Sequence, residues 1–229
     1  SAYANHIEQV FAKYDLPIFM DYKRSILLNS CVEYIRSLLN MAEQNFTYES
    51  VFRYLRTGFS NISQRDVDVL ENYVLALGIR GYKKWQEKWV RRTRGMEETE
   101  LAEVNRIREQ FVVSIEEVMS VLKSRNKTVS DVTKALHTFF MKEELQQRVK
   151  EYQAKFESEG ELALEKEYAQ VYRIVIELLD QFVELLGNER ISMKEYCELL
   201  DAGLEDAKVG IIPPSMDQVV VGDVERSRI

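Results

Sequence analysis

The run EKEYAQVYRIVIELLDQFVELL, Glu165 to Leu186, places Tyr168, Val171, Tyr172, Val175, Leu178, Leu179, Phe182 and Leu185 three and four residues apart. That spacing follows the 3.6-residue helical turn and not the two-residue period of a strand, so it predicts one long amphipathic helix, closed by Gly187. A single apolar stripe of this length has to be covered by other helices, and the chain on both sides supplies them. Downstream, Ser192 and Glu195 form an S-x-x-E capping box ahead of Tyr196, Leu199 and Leu200. Upstream, Glu157 to Glu161 with Gly160 reads as a break. Before it, Thr128 or Ser130 caps a helix whose apolar face includes Val132, Ala135, Leu136, Phe139, Phe140, Leu145 and Val149.

The same pattern continues toward the start of the chain. A long helix with an acidic polar face runs from Glu98 to about Leu122, through Leu101, Val104, Ile107, Phe111, Ile115 and Val118. Ser63 with Asp66 opens a segment carrying Val67, Leu70, Val74 and Leu77. Asn45 or Thr47 opens another with Val51, Phe52, Tyr54 and Leu55, stopped by Gly58. Ser25 to Met41, with Ile26, Leu28, Val32, Ile35, Leu38 and Leu39, and His6 to Tyr14, with Ile7, Val10, Phe11 and Tyr14, complete the set. Strand signals are confined to Ile18-Phe19-Met20 after Pro17 and to Gln218-Val219-Val220-Val221, beyond the helix-forbidding Gly210, Pro213 and Pro214. The fold class expected is mainly α: a multi-helix globular domain with at most short strands near residues 17–20 and 217–222. With little sheet elsewhere in the chain, the second strand is expected to be an orphan, belonging to the edge of a neighbouring domain.

Only nine glycines and three prolines interrupt 229 residues, which suits long helices. No run of apolar residues approaches membrane-spanning length and no signal peptide opens the chain, so a cytoplasmic protein without membrane contact is expected. Ser1-Ala2, with no methionine ahead of it, suggests a piece of something larger. Cys31 and Cys197, the only cysteines, fall in apolar helical patterns and read as buried free thiols. His6 and His137 lack ligand spacing, and no G-x-x-x-x-G-K-[ST] loop is present to cradle nucleotide phosphates. The carboxylate pairs Glu97-Glu98 and Glu143-Glu144 read as solvated helix faces, not as a metal-binding nuclease constellation. A complete active site within these residues is therefore not expected, and no catalytic or metal-binding residue is assigned.

One stretch opposes the overall formal charge of -7: RGYKKWQEKWVRRTR, with Arg80, Lys83, Lys84, Lys88, Arg91, Arg92 and Arg94 against the single acid Glu87. Spaced cations without base-reading residues suit a phosphate backbone. Trp85 and Trp89, the only tryptophans, sit four apart within it. In a helix they would share a face, either as an apolar anchor under a basic surface or as a partly exposed platform. Equally, the segment reads as a solvated helix or loop pinned to the core by both rings. Near the other end, Arg226 and Arg228 follow a Gly222-Asp223 turn and could also meet phosphate.

Three blocks carry a family resemblance: Phe52-Arg53-Tyr54-Leu55-Arg56-Thr57-Gly58, then Leu70 to Gly81 (LENYVLALGIRG), and then Ile212 to Arg228 (IPPSMDQVVVGDVERSR). Together they resemble the B subunit of the bacterial AddAB/RexAB-type helicase-nuclease. The resemblance implies that the chain is an internal slice of a longer subunit acting in double-strand break repair and recombination. It further implies a helical domain over residues 1–209, like the 2B insertion of a superfamily 1 helicase, with residues 210–229 re-entering a RecA-like lobe near helicase motif V. A Thr-His pair and a Gly-Leu-Glu run are common in that motif. This chain has Gly222-Asp223 and Arg226-Ser227-Arg228 instead, a departure that favours a structural or DNA-contacting role over a motor function. Proteins of this family use ATP, Mg²⁺ and an iron-sulfur cluster, none of which finds a counterpart in these residues. The implied partners are DNA and the A subunit, through Arg80, Lys83, Lys84, Trp85, Lys88, Trp89, Arg91, Arg92, Arg94, Arg226 and Arg228. The alternative is a scaffold domain without DNA contact, its basic stretch packed on an acidic surface of the partner or on the Glu97 to Glu109 region of its own chain.

Overall fold

The computed structural model describes residues 10–11, 13–14, 16, 18–20, 24–209 and 219–221. Most of the predicted first helix lies outside them, with Val10, Phe11 and Lys13 helical; the turn and arginines at 222–228 lie outside as well. The described elements run β1 (Ile18–Met20), β2 (Arg24–Ser25), α1 (Ser30–Glu43), α2 (Tyr48–Leu55), α3 (Gln64–Leu77), α4 (Tyr82–Gln86), α5 (Glu98–Leu122), α6 (Val129–Lys142), α7 (Leu145–Ser158), α8 (Leu162–Leu186), α9 (Met193–Asp206), β3 (Lys208–Val209) and β4 (Val219–Val221). The chain is mainly α, as the periodicity requires.

Most helix starts lie where a short polar side chain can satisfy a free backbone N–H. Ser63 Oγ accepts from Asp66 N–H at 3.2 Å, and Thr128 and Ser192 each form reciprocal boxes with Asp131 and Glu195. Asn29 does the same for α1, its Oδ1 accepting from Cys31 N–H at 2.9 Å. That cap corrects the expected start at Ser25: Arg24–Ser25 is a strand, and Leu28, counted above on the apolar face, is 96% exposed. A second correction falls at Glu143-Glu144. The helix expected to continue through Leu145 and Val149 breaks there, because Glu144 turns left-handed at φ 52° and α7 starts anew. Nor is Glu143 solvated; it is buried, 3.6 Å from Arg148, and desolvation raises its pKa.

α7 and α8 fold back on each other about Gly160, whose φ of +77° closes the turn. α8 also packs on α6, α1 and α9, and α1 lies against α2 and α9, so α8 meets four neighbouring helices. The shared core includes Tyr34, Leu38, Phe111, Ile115, Leu136, Val175 and Leu179. Several of its hydroxyls are satisfied internally: Tyr54 Oη donates to Tyr34 Oη at 2.9 Å, and the hydroxyls of Thr133 and Tyr196 meet at 2.8 Å, whereas the buried Nε1 of Trp85 has no partner among the described residues.

The strands form two separate two-stranded sheets. β2 pairs antiparallel with β3, Arg24 opposite Val209 and Ser25 opposite Lys208. β1 pairs in parallel with β4, Ile18 opposite Val219 and Met20 opposite Val221. The Val219–Val221 strand is therefore not the orphan that the sequence suggested. Its partner is the other short strand of the same chain, some 200 residues earlier, a pairing that no local pattern encodes.

Candidate nucleic-acid interface

The Arg80–Arg94 stretch lies between the end of α3 and the start of α5. Gly78 ends α3 in the left-handed conformation, φ 61°, and its N–H returns to Leu75 O. Only Tyr82–Gln86 of the basic stretch is helical. At Glu87 the backbone turns extended, φ -81° and ψ 144°, and the chain continues as an irregular strap until Gly95 and the Glu97 cap of α5.

The strap stays in place because α5 replaces the helical partners that its backbone lacks. Asn105 Oδ1 accepts from Trp89 N–H at 2.9 Å, while Asn105 Nδ2 donates to Trp89 O at 2.8 Å and to Leu101 O at 3.0 Å. One turn further, Arg108 Nη1 donates to Trp85 O at 2.8 Å. Tyr73 Oη, from α3, donates to the carbonyl of Arg91, and Trp89 Nε1 donates to Lys84 O at 2.8 Å. Burial holds Arg108 below the ordinary guanidinium pKa and raises that of Tyr73.

Both tryptophans are interior: Trp85 is 0% and Trp89 5% exposed. Trp89 stacks on Tyr73 at 5.1 Å, Trp85 meets Trp89 edge-on at 5.2 Å, and Trp85 meets Phe111 edge-on at 5.3 Å. Of the two arrangements open at the sequence level the rings adopt the anchor, and no face is left for a base to stack on. Bury two large rings and clasp the backbone between them, and the remaining side chains have to point to water. Arg80, Lys83, Lys84, Lys88, Arg91, Arg92 and Arg94 are all exposed. Lys84 pairs with Glu87 at 2.8 Å, which lowers the pKa of Glu87; the other six cations form no ion pair among the described residues. The strap does contact the Glu97 to Glu109 region, through backbone groups, Asn105 and Arg108, and not through its own charges.

Asn105 and Arg108 are the residues that sequence reading missed. They fall on the buried stripe with Leu101, Val104, Phe111 and Ile115, and two polar residues at core positions were the available signal. Arg226 and Arg228 lie outside the described residues. His137 sits on α6, 3.5 Å from Asp180, and His6 lies outside the described residues. Cys31 is buried, Cys197 is half-buried, and both are free thiols. Among the described residues no three His, Cys, Asp or Glu side chains converge on a possible metal site, and no helix is long and apolar enough to cross a membrane.

No family model matches the chain. Whole-sequence relatives do. The B subunit of the ATP-dependent helicase/deoxyribonuclease of Clostridium novyi is 40% identical over 226 residues, 99% of this chain and 20% of the relative. Its counterpart in Lachnoclostridium phytofermentans is 38% identical over 218 residues, 93% of this chain and 19% of the relative. This chain is homologous to a segment of the helicase/deoxyribonuclease B subunit. The same-named protein of Clostridium botulinum strain Hall is 39% identical over 234 residues, again across 99% of this chain. The chain spans about a fifth of the length of the curated relatives it matches. Its described part is thus an α-helical body with a clasped basic strap.

Proposed function

We propose that this segment is a non-catalytic helical region of a DNA helicase-nuclease subunit, and that its Arg80–Arg94 strap contacts DNA. The observation that carries the reading is the strap itself: seven exposed cations, six of them without an ion pair among the described residues, on a backbone fixed by buried tryptophans and Asn105. A fixed row of unneutralised cations in a chain of net charge -7 repels itself unless an anion arrives, and a phosphate backbone supplies anions at regular spacing. The names of the relatives, helicase and deoxyribonuclease, agree with DNA as the polyanion. DNA break repair and recombination is the matching cellular setting.

A second part of the reading has residues 1–209 as an insertion and residues 210–229 returning to a RecA-like lobe; the pairing of β1 with β4 supports the return but puts Ile18–Met20 on the lobe side, so that the insertion begins after β1. Parallel neighbours need a long crossover between them. Between β1 and β4 that crossover is the whole helical body, whose two ends are joined by the β2–β3 pair. ATP, Mg²⁺ and an iron-sulfur cluster would then belong to the rest of the subunit, and the A subunit would be the protein partner.

Salt-titrated binding of the chain to single-stranded, duplex and forked DNA tests the strap, with affinity for the A subunit measured in parallel. Replacing Lys83, Lys84, Arg91 and Arg92 by glutamate should weaken DNA binding. It should also flatten the log-log salt slope by roughly 0.7–0.9 for each phosphate no longer neutralised. Unchanged DNA affinity with abolished affinity for the A subunit would instead make the strap a protein-docking surface.

A further inference from the structure

A second basic cluster lies where three helix ends meet. The end of α1, the α5–α6 turn and the start of α9 enclose an open cavity of about 560 Å³, lined by Glu43, Lys123, Arg125, Lys127, Arg190 and Lys194 among others. Five cations surround one acid, in a chain whose acids outnumber its basic residues. Lys194 is lightly engaged by Glu198 at 3.8 Å, whereas Lys123, Arg125, Lys127 and Arg190 form no ion pair among the described residues. Lys127 is 6% exposed and its Nζ donates to Ser124 O at 2.8 Å, so one cation is built into the wall and does not wave in solvent. Burial lowers the pKa of both Lys123 and Lys127, and the charge of Lys123 lowers that of Lys127 further. The start of α9 carries its own reciprocal cap, Ser192 Oγ accepting from Glu195 N–H and Glu195 accepting from Ser192 N–H.

The cluster joins the strap through one residue. Asn45, held left-handed at φ 52°, accepts at Oδ1 from Lys123 Nζ at 3.1 Å and from Tyr82 N–H at 3.4 Å. Lys123 Nζ also sits 5.1 Å from the centre of the Tyr82 ring, and Lys83 and Lys84 follow directly. Lys123 of the cluster therefore lies against Tyr82, at the start of the strap's short helix. We infer that the α5–α6 and α8–α9 turns form a second nucleic-acid backbone site, with Lys123, Arg125 and Arg190 receiving phosphates of the strand that crosses the strap and Lys127 adding charge from the wall. The inference rests on the reading of the strap as a DNA contact. Its chemistry is phosphate neutralisation, with no base read.

The test uses the 229-residue chain and a labelled single-stranded oligothymidylate, followed by anisotropy from about 50 to 200 mM salt, the range over which phosphate binding weakens most. Lys123→Glu/Arg125→Glu/Arg190→Glu is compared with the strap variant Lys83→Glu/Lys84→Glu/Arg91→Glu/Arg92→Glu. Lys127 is left intact because its stem is buried. The glutamine version of the cluster triple removes charge without adding repulsion, and thermal melting with tryptophan emission verifies that each variant folds. The glutamine triple should lower affinity at least tenfold at low salt and flatten the slope by roughly 2, from three phosphates left unneutralised. Parent-like affinity and slope in both cluster variants would overturn the inference. If the strap variant alone fails to bind, the strap reading stands and the cluster does not. If the cluster variants alone fail, the strap reading falls, and with it the inference of one strand shared by strap and cluster. If none does, both fall. Weakened affinity for the A subunit with DNA binding intact would also overturn the inference, assigning the cluster to a protein partner.

Discussion

Replacing Asn105 by alanine should loosen the strap without touching a charge. The side chain is buried and satisfies both Trp89 N–H and Trp89 O, and its truncation leaves two main-chain groups without a partner. A buried donor or acceptor left unsatisfied costs about 1–3 kcal/mol. Because the strap lies at the surface and water can reach part of it, the lower half of that range applies, and the pair together costs about 3 kcal/mol. For a domain of this size each kcal/mol moves the midpoint by about 2–4 °C, so Tm should fall by roughly 6–12 °C. Both tryptophans sit in the strap, which makes intrinsic fluorescence a local probe: Asn105→Ala should shift emission to the red as Trp85 and Trp89 gain water. DNA affinity should fall as well, since cations on a loose loop pay an ordering cost on binding. An unchanged Tm together with unchanged emission would refute the claim that Asn105 holds the strap.

Burial lifts the thiols of Cys31 and Cys197 from an ordinary 9.0 to about 12, so alkylation at pH 8 should be slow in the folded chain and complete only on denaturation. Folded thiols keep protons that the unfolded chain releases, so their contribution to stability is fully present below pH 9 and disappears as pH rises toward 12; urea midpoints across that interval check it. At Gly203 an added Cβ would lie 2.6 Å from Leu178 Cδ1 and 3.1 Å from Phe182 Cζ, so Gly203→Ala should cost about 1–3 kcal/mol by overpacking where α8 meets α9, read by thermal melting. Removing residues 1–23 and 210–229 should leave the helical body folded, with Tm within a few degrees, because its buried apolar core runs from Ile26 to Leu204.

What the sequence disclosed and what it withheld divide along the range of the interaction. Helix existence was legible because apolar spacing and caps are local: Ser63, Thr128 and Ser192 cap helices as their motifs specify, and α5 spans Glu98–Leu122 as its pattern required. The break at Glu144 was not, because a left-handed glutamate carries no local signature and the apolar stripe continues across it. The parallel partnership of Ile18–Met20 with Val219–Val221 joins segments some 200 residues apart, a range that no local pattern spans. In the strap the charge was visible but the conformation was not. A helix would have satisfied Trp89 through its own turn, and only the folded protein shows that Asn105, sixteen residues on, does so. The Lys123 to Lys194 cluster escaped notice for the same reason, since its members come from two segments more than sixty residues apart in a chain otherwise acidic.

An acidic protein binding a polyanion needs its cations segregated from its acids, and the helix ends provide that separation. The basic strap, the 123–127 turn and Arg190 all lie at connections between helices, whereas many acids line helix faces such as Glu100, Glu103 and Glu109 of α5. Screening decides how far those acids matter. At about 0.1 M salt the Debye length is about 10 Å, so acids farther from the strap are largely invisible to a bound strand; at about 0.01 M it is about 30 Å, and the net charge of -7 acts on DNA from across the molecule. Affinity should therefore climb less steeply toward the lowest salt than phosphate contacts alone would give, bending the log-log plot downward there. Neutralising acids that lie beyond about 10 Å from the strap to glutamine should straighten the plot without changing its slope near about 0.1 M. A plot that stays straight down to about 0.01 M in the parent chain would show that long-range repulsion plays no part and that the strap's local field alone sets binding.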